Sequence, residues 1–299
     1  DYIDTMLKFY GDALENIGTS IAVADDGYII CGQLTEITRS NGNYIESSIK
    51  RPGIIKTGFD GNIIWQKYFG NGLPGSAAKV IVLDDGSIVC TGQVTDTIIS
   101  QSDIFVVHLN SDGTGVVLPK IYKTAGNQLS NDILKAGDGF LILGTTDVLR
   151  TPLTETTGNK AGKKDLITIR VNNNLEQIDS LKPWGFPDND AGAVIKADPD
   201  GGYIVAGTTE RYLSMGNKND IFIARINTDG NVTEYSIIGT SSNEYARDME
   251  VLNDGYLIAG TKGSETEKQS AYIVKVPKDI MADPIVQDNP VKDISWSVK

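Results

Sequence analysis

The sequence predicts an all-β protein: a five-bladed β-propeller with four antiparallel strands per blade and a ring that a terminal strand closes. Three observations predict this fold. An Asp-Gly turn followed by a short apolar strand recurs five times, at intervals of 53 to 62 residues. Each repeat carries four strand signals, and no part of the chain shows helical periodicity.

The recurring stretch is clearest at Asp200-Gly-Gly-Tyr-Ile-Val-Ala-Gly207. Asp-Gly is typical of a hairpin turn, because glycine accepts the positive φ that such turns require. The apolar run after the turn is typical of a strand that is buried on both faces. Four further copies begin at Asp26, Asp85, Asp138 and Asp254.

The same order of elements surrounds every turn. A first strand precedes the Asp-Gly pair, and the apolar second strand follows it. A polar insert rich in Thr and Ser leads to an alternating third strand, and a second turn leads to a fourth strand. The third repeat has Asn172-Asn-Asn-Leu175 at this second turn, where the first, second and fourth repeats have Asp-Gly. The predicted repeats span about 12–70, 71–126, 127–186, 187–239 and 240–276.

Both termini carry a signal for one additional strand. Residues 5–11 resemble the fourth strand at 64–70, although no first three strands precede them. We expect residues 1–11 to close the ring by completing the last blade. The C-terminal part, 277–299, is a proline-punctuated linker followed by a second candidate for the same position, 293–298. Only one of the two can lie next to the third strand, and we expect 293–298 to be an edge or an accessory strand. The whole chain, 1–299, is then a single domain.

Composition excludes several classes of function. The net charge of -12 and the pI near 4.6 argue against nucleic acid, whose binding depends on Lys and Arg. No apolar run approaches the roughly 18 residues of a membrane helix. The chain begins with Asp1, so any lipid anchor is expected upstream. With one histidine, His108, and no phosphate loop, we predict neither a metal site nor a cofactor.

The two cysteines fall in the second strands of adjacent repeats. Cys31 belongs to the first repeat and Cys90 to the second. Equivalent strands of stacked sheets lie about 10 Å apart, whereas a disulfide requires Cα atoms within about 7 Å. We therefore interpret both cysteines as small buried hydrophobes.

The repeat as a whole resembles a known type. Lys79-Val-Ile-Val-Leu-Asp-Asp-Gly-Ser-Ile-Val-Cys-Thr-Gly92, followed by Asp103-Ile-Phe-Val-Val-His-Leu-Asn-Ser-Asp-Gly113, looks like the bacterial delta-60-like Asp-Gly β-propeller repeat. Such repeats occur in uncharacterised Bacteroides-type surface lipoproteins. The resemblance implies an extracytoplasmic protein, either periplasmic or an outer-membrane or cell-surface lipoprotein. It says little about activity, because a propeller serves many functions.

The first strands place charged residues where a propeller has its central channel. An apolar position in each of these strands (Ile21, Val80, Ile133, Ile195, Met249) is expected to pack between blades. The flanking positions then face the axis. They bring together three acids and two lysines, namely Asp132, Asp248, Glu250, Lys79 and Lys196. Glycoside hydrolases use two carboxylates several ångströms apart, so the three acids are candidate catalytic residues. The other interpretation is that these charges pair with one another.

The inserts are the second candidate surface. They all join strand two to strand three, so they lie on one face of the disk. Tyr44, Arg150 and Tyr212 are the side chains in them that are suited to anchoring a partner.

From these observations the sequence predicts a monomeric, non-enzymatic binding or scaffold module of the bacterial cell envelope, with a protein or a glycan as its ligand. The alternative is a carbohydrate-active enzyme, similar to a glycoside hydrolase, that uses the channel acids.

Overall fold

A computed structural model describes residues 7–11, 14–40, 44–147, 164–179, 182–186, 189–211, 218–240, 242–263 and 269–279. Every regular element within these ranges is a β-strand, and all recorded strand pairs are antiparallel. The predicted all-β class is confirmed. No helix in the described part of the chain is long and apolar enough to span a membrane.

The chain forms two compact units. The first comprises Asp1–Asp147 and Thr168–Leu181, and the second comprises Val148–Ile167 and Lys182–Lys299. The strands form five open sheets, each built from consecutive strands. The residues of the third sheet are divided between the units.

The first two sheets belong to the first unit. The strands of the first sheet are β1 (Ile17–Ala24), β2 (Gly27–Ser40), β3 (Tyr44–Thr57) and β4 (Ile63–Tyr68). Those of the second sheet are β5 (Gly75–Val82), β6 (Ile88–Asp96), β7 (Gln101–Leu109) and β8 (Lys120–Tyr122). The third sheet consists of β9 (Gln128–Ala136), β10 (Gly139–Thr146), β11 (Asp165–Asn172) and β12 (Lys182–Trp184).

The last two sheets belong to the second unit. The strands of the fourth sheet are β13 (Asp190–Ala197), β14 (Tyr203–Arg211), β15 (Lys218–Ile226) and β16 (Val232–Ile238). The fifth sheet has three strands among the described residues: β17 (Glu244–Leu252), β18 (Gly255–Lys262) and β19 (Ser270–Pro277).

The Asp-Gly turns use glycine for two different reasons. Gly86 has a φ of 76°, in the left-handed region that other residues avoid. Gly27 instead is the first residue of β2 and lies close to the backbone of β3. A Cβ on it would lie 1.8 Å from the carbonyl oxygen of Thr57. The recurring dipeptide therefore fixes both the turn and the close approach of the strands.

A β-bulge interrupts the first strand of every sheet. The pairing of β1 with β2 shifts between Gly18 and Ser20, so Thr19 is an extra residue. The extra residues of the other first strands are Ala78, Asn131, Ala193 and Arg247. Bulges of this kind bend a strand and redirect the side chains beside them.

Apolar side chains fill the space between neighbouring sheets of each unit. One buried cluster joins the first and second sheets, and another joins the fourth and fifth. Four of the five positions expected to pack between blades are buried, as at Val80, which is 1% exposed. The exception is Ile21, which is 62% exposed. One face of the first sheet is therefore uncovered within its unit.

No strand is observed over residues 7–11, where we expected the closing strand. Leu7 and Phe9 are exposed. The segment is held by side chains instead, because the Tyr10 hydroxyl donates to the carbonyl oxygen of Gly61 at 2.9 Å. Lys8 Nζ donates to Asn62 Oδ1 at 3.1 Å. The C-terminal candidate strand, 293–298, lies outside the described residues.

Candidate active site

The charged positions predicted from the first strands lie beside the bulges. Lys79, Asp132 and Asp248 each directly follow the extra residue of their strand. Sequence reasoning missed the bulges, because it used only the apolar position of each first strand and its two flanking residues, and all of these follow the added residue. The small or polar residues at Thr19, Ala78, Asn131 and Ala193 were the only available signal.

Two of the predicted residues meet in the first unit. Lys79 Nζ lies 3.9 Å from Asp132 Oδ1, and that oxygen also accepts the backbone N–H of Ile133 at 2.8 Å. Asp132 is 3% exposed, and a third of the Lys79 side chain is exposed. The pair is therefore a loose ion pair with one buried member.

Asp248 and Glu250 differ from Asp132 because solvent reaches both of them. They lie two residues apart on β17, and Met249 between them packs into the core shared with the fourth sheet. The two carboxylates therefore occupy the opposite face of the fifth sheet. Asp248 Oδ1 accepts the N–H of Met249 at 2.9 Å. Neither acid makes an ion pair with any described residue.

The strands next to β17 complete the surface around these two acids. Asp248 lies opposite Ala259, which in turn lies opposite Ile273. Ala259 is small and Ile273 is 64% exposed, so a shallow apolar surface adjoins the Asp248 carboxylate. In the next row Glu250 lies opposite Leu257.

The remaining predicted residues contribute less to this surface. Lys196 is half-buried on β13, opposite Ile204, and within the described residues it forms no ion pair with Asp248 or Glu250. Tyr44 opens β3, but its side chain lies outside the described residues, as do Arg150 and Tyr212 entirely. The prediction about the inserts therefore stays a prediction.

Third-strand cations form ion pairs with acids near the Asp-Gly turns in three repeats. Lys56 Nζ is 2.8 Å from Asp26 Oδ2, and Lys275 Nζ is 2.6 Å from Asp254 Oδ2. The fourth sheet has the most extensive version, in which Arg225 Nε is 2.9 Å from the buried Asp198 Oδ2. These acids are occupied by structural contacts.

Arg225 is at the centre of a network on the fourth sheet. Its Nη1 atom donates to Glu234 Oε2 at 2.8 Å, and its Nη2 atom donates to the carbonyl oxygen of Lys278 at 2.6 Å. The Tyr256 hydroxyl donates to Asp198 Oδ2 at 2.8 Å. Burial raises the pKa of Asp198, but hydrogen bonds from the N–H of Asp200, from Tyr256 and from Arg225 outweigh it and lower that pKa.

A second set of acids, which sequence reasoning did not single out, is buried at strand starts. Asp190 Oδ2 accepts the N–H of Phe186 at 2.6 Å, and Glu244 Oε2 accepts the N–H of Thr240 at 3.1 Å. On β7, Asp103 Oδ1 accepts the N–H of Thr124 at 3.4 Å. These carboxylates cap loops between strands, which is a structural role.

The described residues contain no group of three or more His, Cys, Asp or Glu side chains placed to hold a metal ion. The single histidine has a packing role. His108 Nε2 lies 3.1 Å from Ser87 Oγ, and the ring meets Phe140 edge-on, with centroids 5.6 Å apart. Of the three candidate acids, Asp248 and Glu250 are the two that solvent reaches.

Comparison with known proteins supports a β-propeller. A family model described as a domain of unknown function (DUF5122) beta-propeller matches residues 199–232, which hold the fourth Asp-Gly turn and the two strands after it. A search of curated proteins finds no match to the chain. The specific delta-60-like repeat family is not identified by these matches.

Solved structures are similar to almost the whole chain. A protein of unknown function from Bacteroides caccae is 13% identical with a TM-score of 0.50, covering 89% of this chain and 80% of its own. An endo-arabinase from Bacteroides thetaiotaomicron is 12% identical with a TM-score of 0.47, over 88% of this chain and 95% of its own. A β-1,2-mannobiose phosphorylase from Listeria innocua is 9% identical with a TM-score of 0.48, over 90% and 92%.

These neighbours correct the predicted function. The sequence favoured a non-enzymatic binding or scaffold module, but the similar structures with a stated activity are carbohydrate-active enzymes. The comparisons thus agree better with the alternative prediction. The main prediction rested on the similarity of the repeats to one another, but that similarity reflects the fold and does not decide between a binding module and an enzyme. At these identities the similarity shows the fold alone, so the reaction has to be argued from the residues of this chain.

Proposed function

We propose that the protein is a carbohydrate-active enzyme and that Asp248 and Glu250 are its acid–base pair. The observation that carries the proposal is their position on one exposed face of β17, two residues apart and without an ion pair in the described part of the chain. Residues so spaced on a strand are about 7 Å apart. Paired carboxylates of glycoside hydrolases lie roughly 5 to 9.5 Å apart.

The surroundings of the pair suit a sugar. Hydrolysis needs one protonated carboxyl to protonate the leaving oxygen, while the other carboxylate activates water or attacks the anomeric carbon. Solvent must reach both groups, and it does. The apolar surface of Ala259 and Ile273 beside Asp248 offers a sugar ring something to pack on. The other turn and strand-start acids, such as Asp198 and Glu244, are already engaged.

The experiment measures the release of reducing sugar from a panel of arabinan, galactan, mannan and aryl glycosides. Asp248→Asn and Glu250→Gln should each lower the turnover number at least about 100-fold, the usual contribution of a general acid or base. Asp254→Asn is the matched control, because Asp254 is an exposed acid of the same sheet that Lys275 holds. Full activity in the double variant would refute the catalytic role of Asp248 and Glu250. If the wild type released no sugar from any substrate, the proposed carbohydrate-active function would be refuted.

We also propose that the five sheets are the five blades of one ring, with residues 7–11 supplying the closing strand. The support comes from the first unit. Lys67 Nζ donates to the carbonyl oxygen of Gly113 at 2.6 Å, so β4 contacts the second turn of the next repeat. Lys8 contacts the corresponding turn of the first repeat through Asn62. This similarity of contacts supports our proposal that residues 7–11 take the place of a fourth strand beside the first sheet.

Ring closure has a test at Ile21. In a closed ring this exposed side chain is covered, as its equivalent Val80 is. We expect Ile21→Ser to lower the free energy of unfolding by more than about 1 kcal/mol, and Val80→Ser by about 2 to 3 kcal/mol. Urea denaturation measures both. If Ile21→Ser changes the stability by less than about 0.5 kcal/mol, the ring is not closed over this face.

The cellular setting completes the proposal. We propose an extracytoplasmic monomer, a delta-60-like repeat protein of the periplasm or cell surface with an upstream lipid anchor, which meets glycans there. The resemblance of the Asp-Gly repeat supports it. Fractionation of the native host locates the protein, and native mass spectrometry gives its oligomeric state. Recovery from the cytoplasm, or as a stable dimer, would contradict this setting.

A further inference from the structure

The two cysteines face each other between the first and second sheets. Cys31 directly precedes Gly32, whereas Cys90 stands two residues before Gly92. This offset of one residue turns the two side chains to opposite faces of their sheets, because side chains alternate along a strand. Both belong to the buried apolar cluster that the two sheets share. The offset therefore brings together thiols that equivalent positions would have kept apart.

The surroundings of Cys31 favour thiol chemistry. Thr19 Oγ1 lies 3.6 Å from Cys31 Sγ and also donates to the carbonyl oxygen of Ala77 at 2.8 Å. Thr19 is the extra residue of the β1 bulge and is exposed, whereas Cys31 beside it is only 1% exposed. Both cysteines are free thiols.

The two thiols are not equivalent. A hydrogen bond with Cys90 lowers the pKa of Cys31 against the effect of burial, and Thr19 and the Lys79 ammonium act in the same direction. Burial raises the pKa of Cys90 well above its usual value. Thiolates are the reactive form, so Cys31 is the attacking thiol and Cys90 is placed to resolve the product.

We propose that Cys31 and Cys90 form a peroxide-sensitive dithiol that closes into a disulfide between the first and second sheets. The Cys31 thiolate attacks hydrogen peroxide, the O–O bond breaks, and sulfenic acid and hydroxide form. Cys90 then attacks the Cys31 sulfur, forms the S–S bond and displaces a second hydroxide, while the two thiol protons convert both hydroxides to water. The sulfurs lose two electrons, which reduce one peroxide to two waters.

The modification is independent of the proposed hydrolysis. Lys79 gains a role here, because its ammonium lies near Cys31 as well as near Asp132. A disulfide that closes so long a loop constrains the unfolded chain. We expect the oxidised protein to melt more than about 4 °C above the reduced one.

The test treats the folded full chain with excess hydrogen peroxide and measures intact mass and maleimide-reactive thiols after unfolding. The expected result is loss of two hydrogens, loss of both reactive thiols, and a peptide that links Cys31 to Cys90. In Cys90→Ser, dimedone should trap sulfenic acid at Cys31, whereas in Cys31→Ser the remaining Cys90 should react far more slowly. Thr19→Val should slow oxidation of the wild-type pair several-fold without abolishing it.

Two results would overturn the proposal. Either both thiols survive peroxide in the folded protein while the urea-unfolded chain is oxidised, or the only disulfide formed joins two copies on a non-reducing gel. If a serine variant fails to fold, the wild-type mass and peptide map decide the question without it.

Discussion

Arg225 and Asp198 form the centre of a hydrogen-bond network on the fourth sheet, with the guanidinium Nε 2.9 Å from a carboxylate oxygen of a fully buried side chain. Tyr256 donates to the same oxygen, and Glu234 accepts from the other side of the guanidinium. The equivalent cation of the fifth sheet, Lys275, contacts Asp254 in solvent instead. The cation at the same position of the repeat thus belongs to a buried hydrogen-bond network in the fourth sheet and to a surface ion pair in the fifth.

Asp198→Asn should lower the free energy of unfolding by about 3 kcal/mol, because it leaves Arg225 without its buried counter-ion. The folded-state pKa of Asp198 lies below its ordinary value of 3.8. The stability that the Asp198 carboxylate contributes is therefore fully present above pH 3.8 and is lost as the pH falls through the pKa of the folded state. Urea denaturation at pH 7 and at pH 3 measures both effects.

Lys275→Met is the matched control for that variant, because half of its ion pair is in solvent. An exposed pair contributes at most about 1 kcal/mol. Equal losses in Asp198→Asn and Lys275→Met would show that the buried network adds nothing beyond a surface contact.

The five Asp-Gly turns and their strands could be predicted from the sequence, because turn chemistry and apolar runs are local properties. The bulges could not, since the alternating residues that define the first strands all follow the added residue, such as Thr19 or Ala193. The proximity of Cys31 and Cys90 could not be predicted either. It depends on a one-residue offset between two strands that belong to neighbouring, packed sheets. At the candidate site, the sequence selected Asp132, Asp248 and Glu250 together. Only the structure separates a buried ion pair from two exposed carboxylates.

Gly207 is the closing glycine of the clearest repeat, and its replacement tests close packing. A Cβ there would lie 2.3 Å from the carbonyl oxygen of Ala191 and 2.4 Å from the Phe222 ring. Gly207→Ala should lower the free energy of unfolding by about 2 kcal/mol or more, through overpacking. Gly137→Asn is the control, because a Cβ there meets nothing within 4 Å and Asn tolerates its φ of 54°. A wild-type melting temperature for Gly207→Ala would contradict the close approach.

The charged residues of the first strands should differ in how much they contribute to stability. Lys79→Met removes one partner of the buried Asp132 and should cost about 1 to 2 kcal/mol of unfolding free energy. Asp248→Asn and Glu250→Gln should each stay within about 0.5 kcal/mol of the wild type, since both acids are exposed. Thermal and urea unfolding of the three variants decide this. A large loss in Asp248→Asn would mean that any loss of activity reflects folding.

Leu175 occupies the turn position where the second and fourth repeats have Gly113 and Gly230. Its φ is 60°, in the region where a leucine is strained, yet its side chain is fully buried and its carbonyl oxygen accepts the Tyr122 hydroxyl at 2.9 Å. Burial thus outweighs the backbone strain of about 1 to 2 kcal/mol. Both Leu175→Ala and Leu175→Gly should destabilise the protein by about 2 to 4 kcal/mol, because each leaves a cavity.

Which of the two Leu175 variants is less stable tests whether the backbone there has a positive φ. Glycine usually destabilises more than alanine, because it loses more backbone freedom on folding. Here the order should be reversed by about 1 kcal/mol, since glycine relieves the positive φ and alanine retains it. Denaturation midpoints of the two variants compare them directly. If Leu175→Ala proves the more stable, the turn adopts a different backbone in solution, and the asparagine-rich third repeat does not follow the glycine turns of its neighbours.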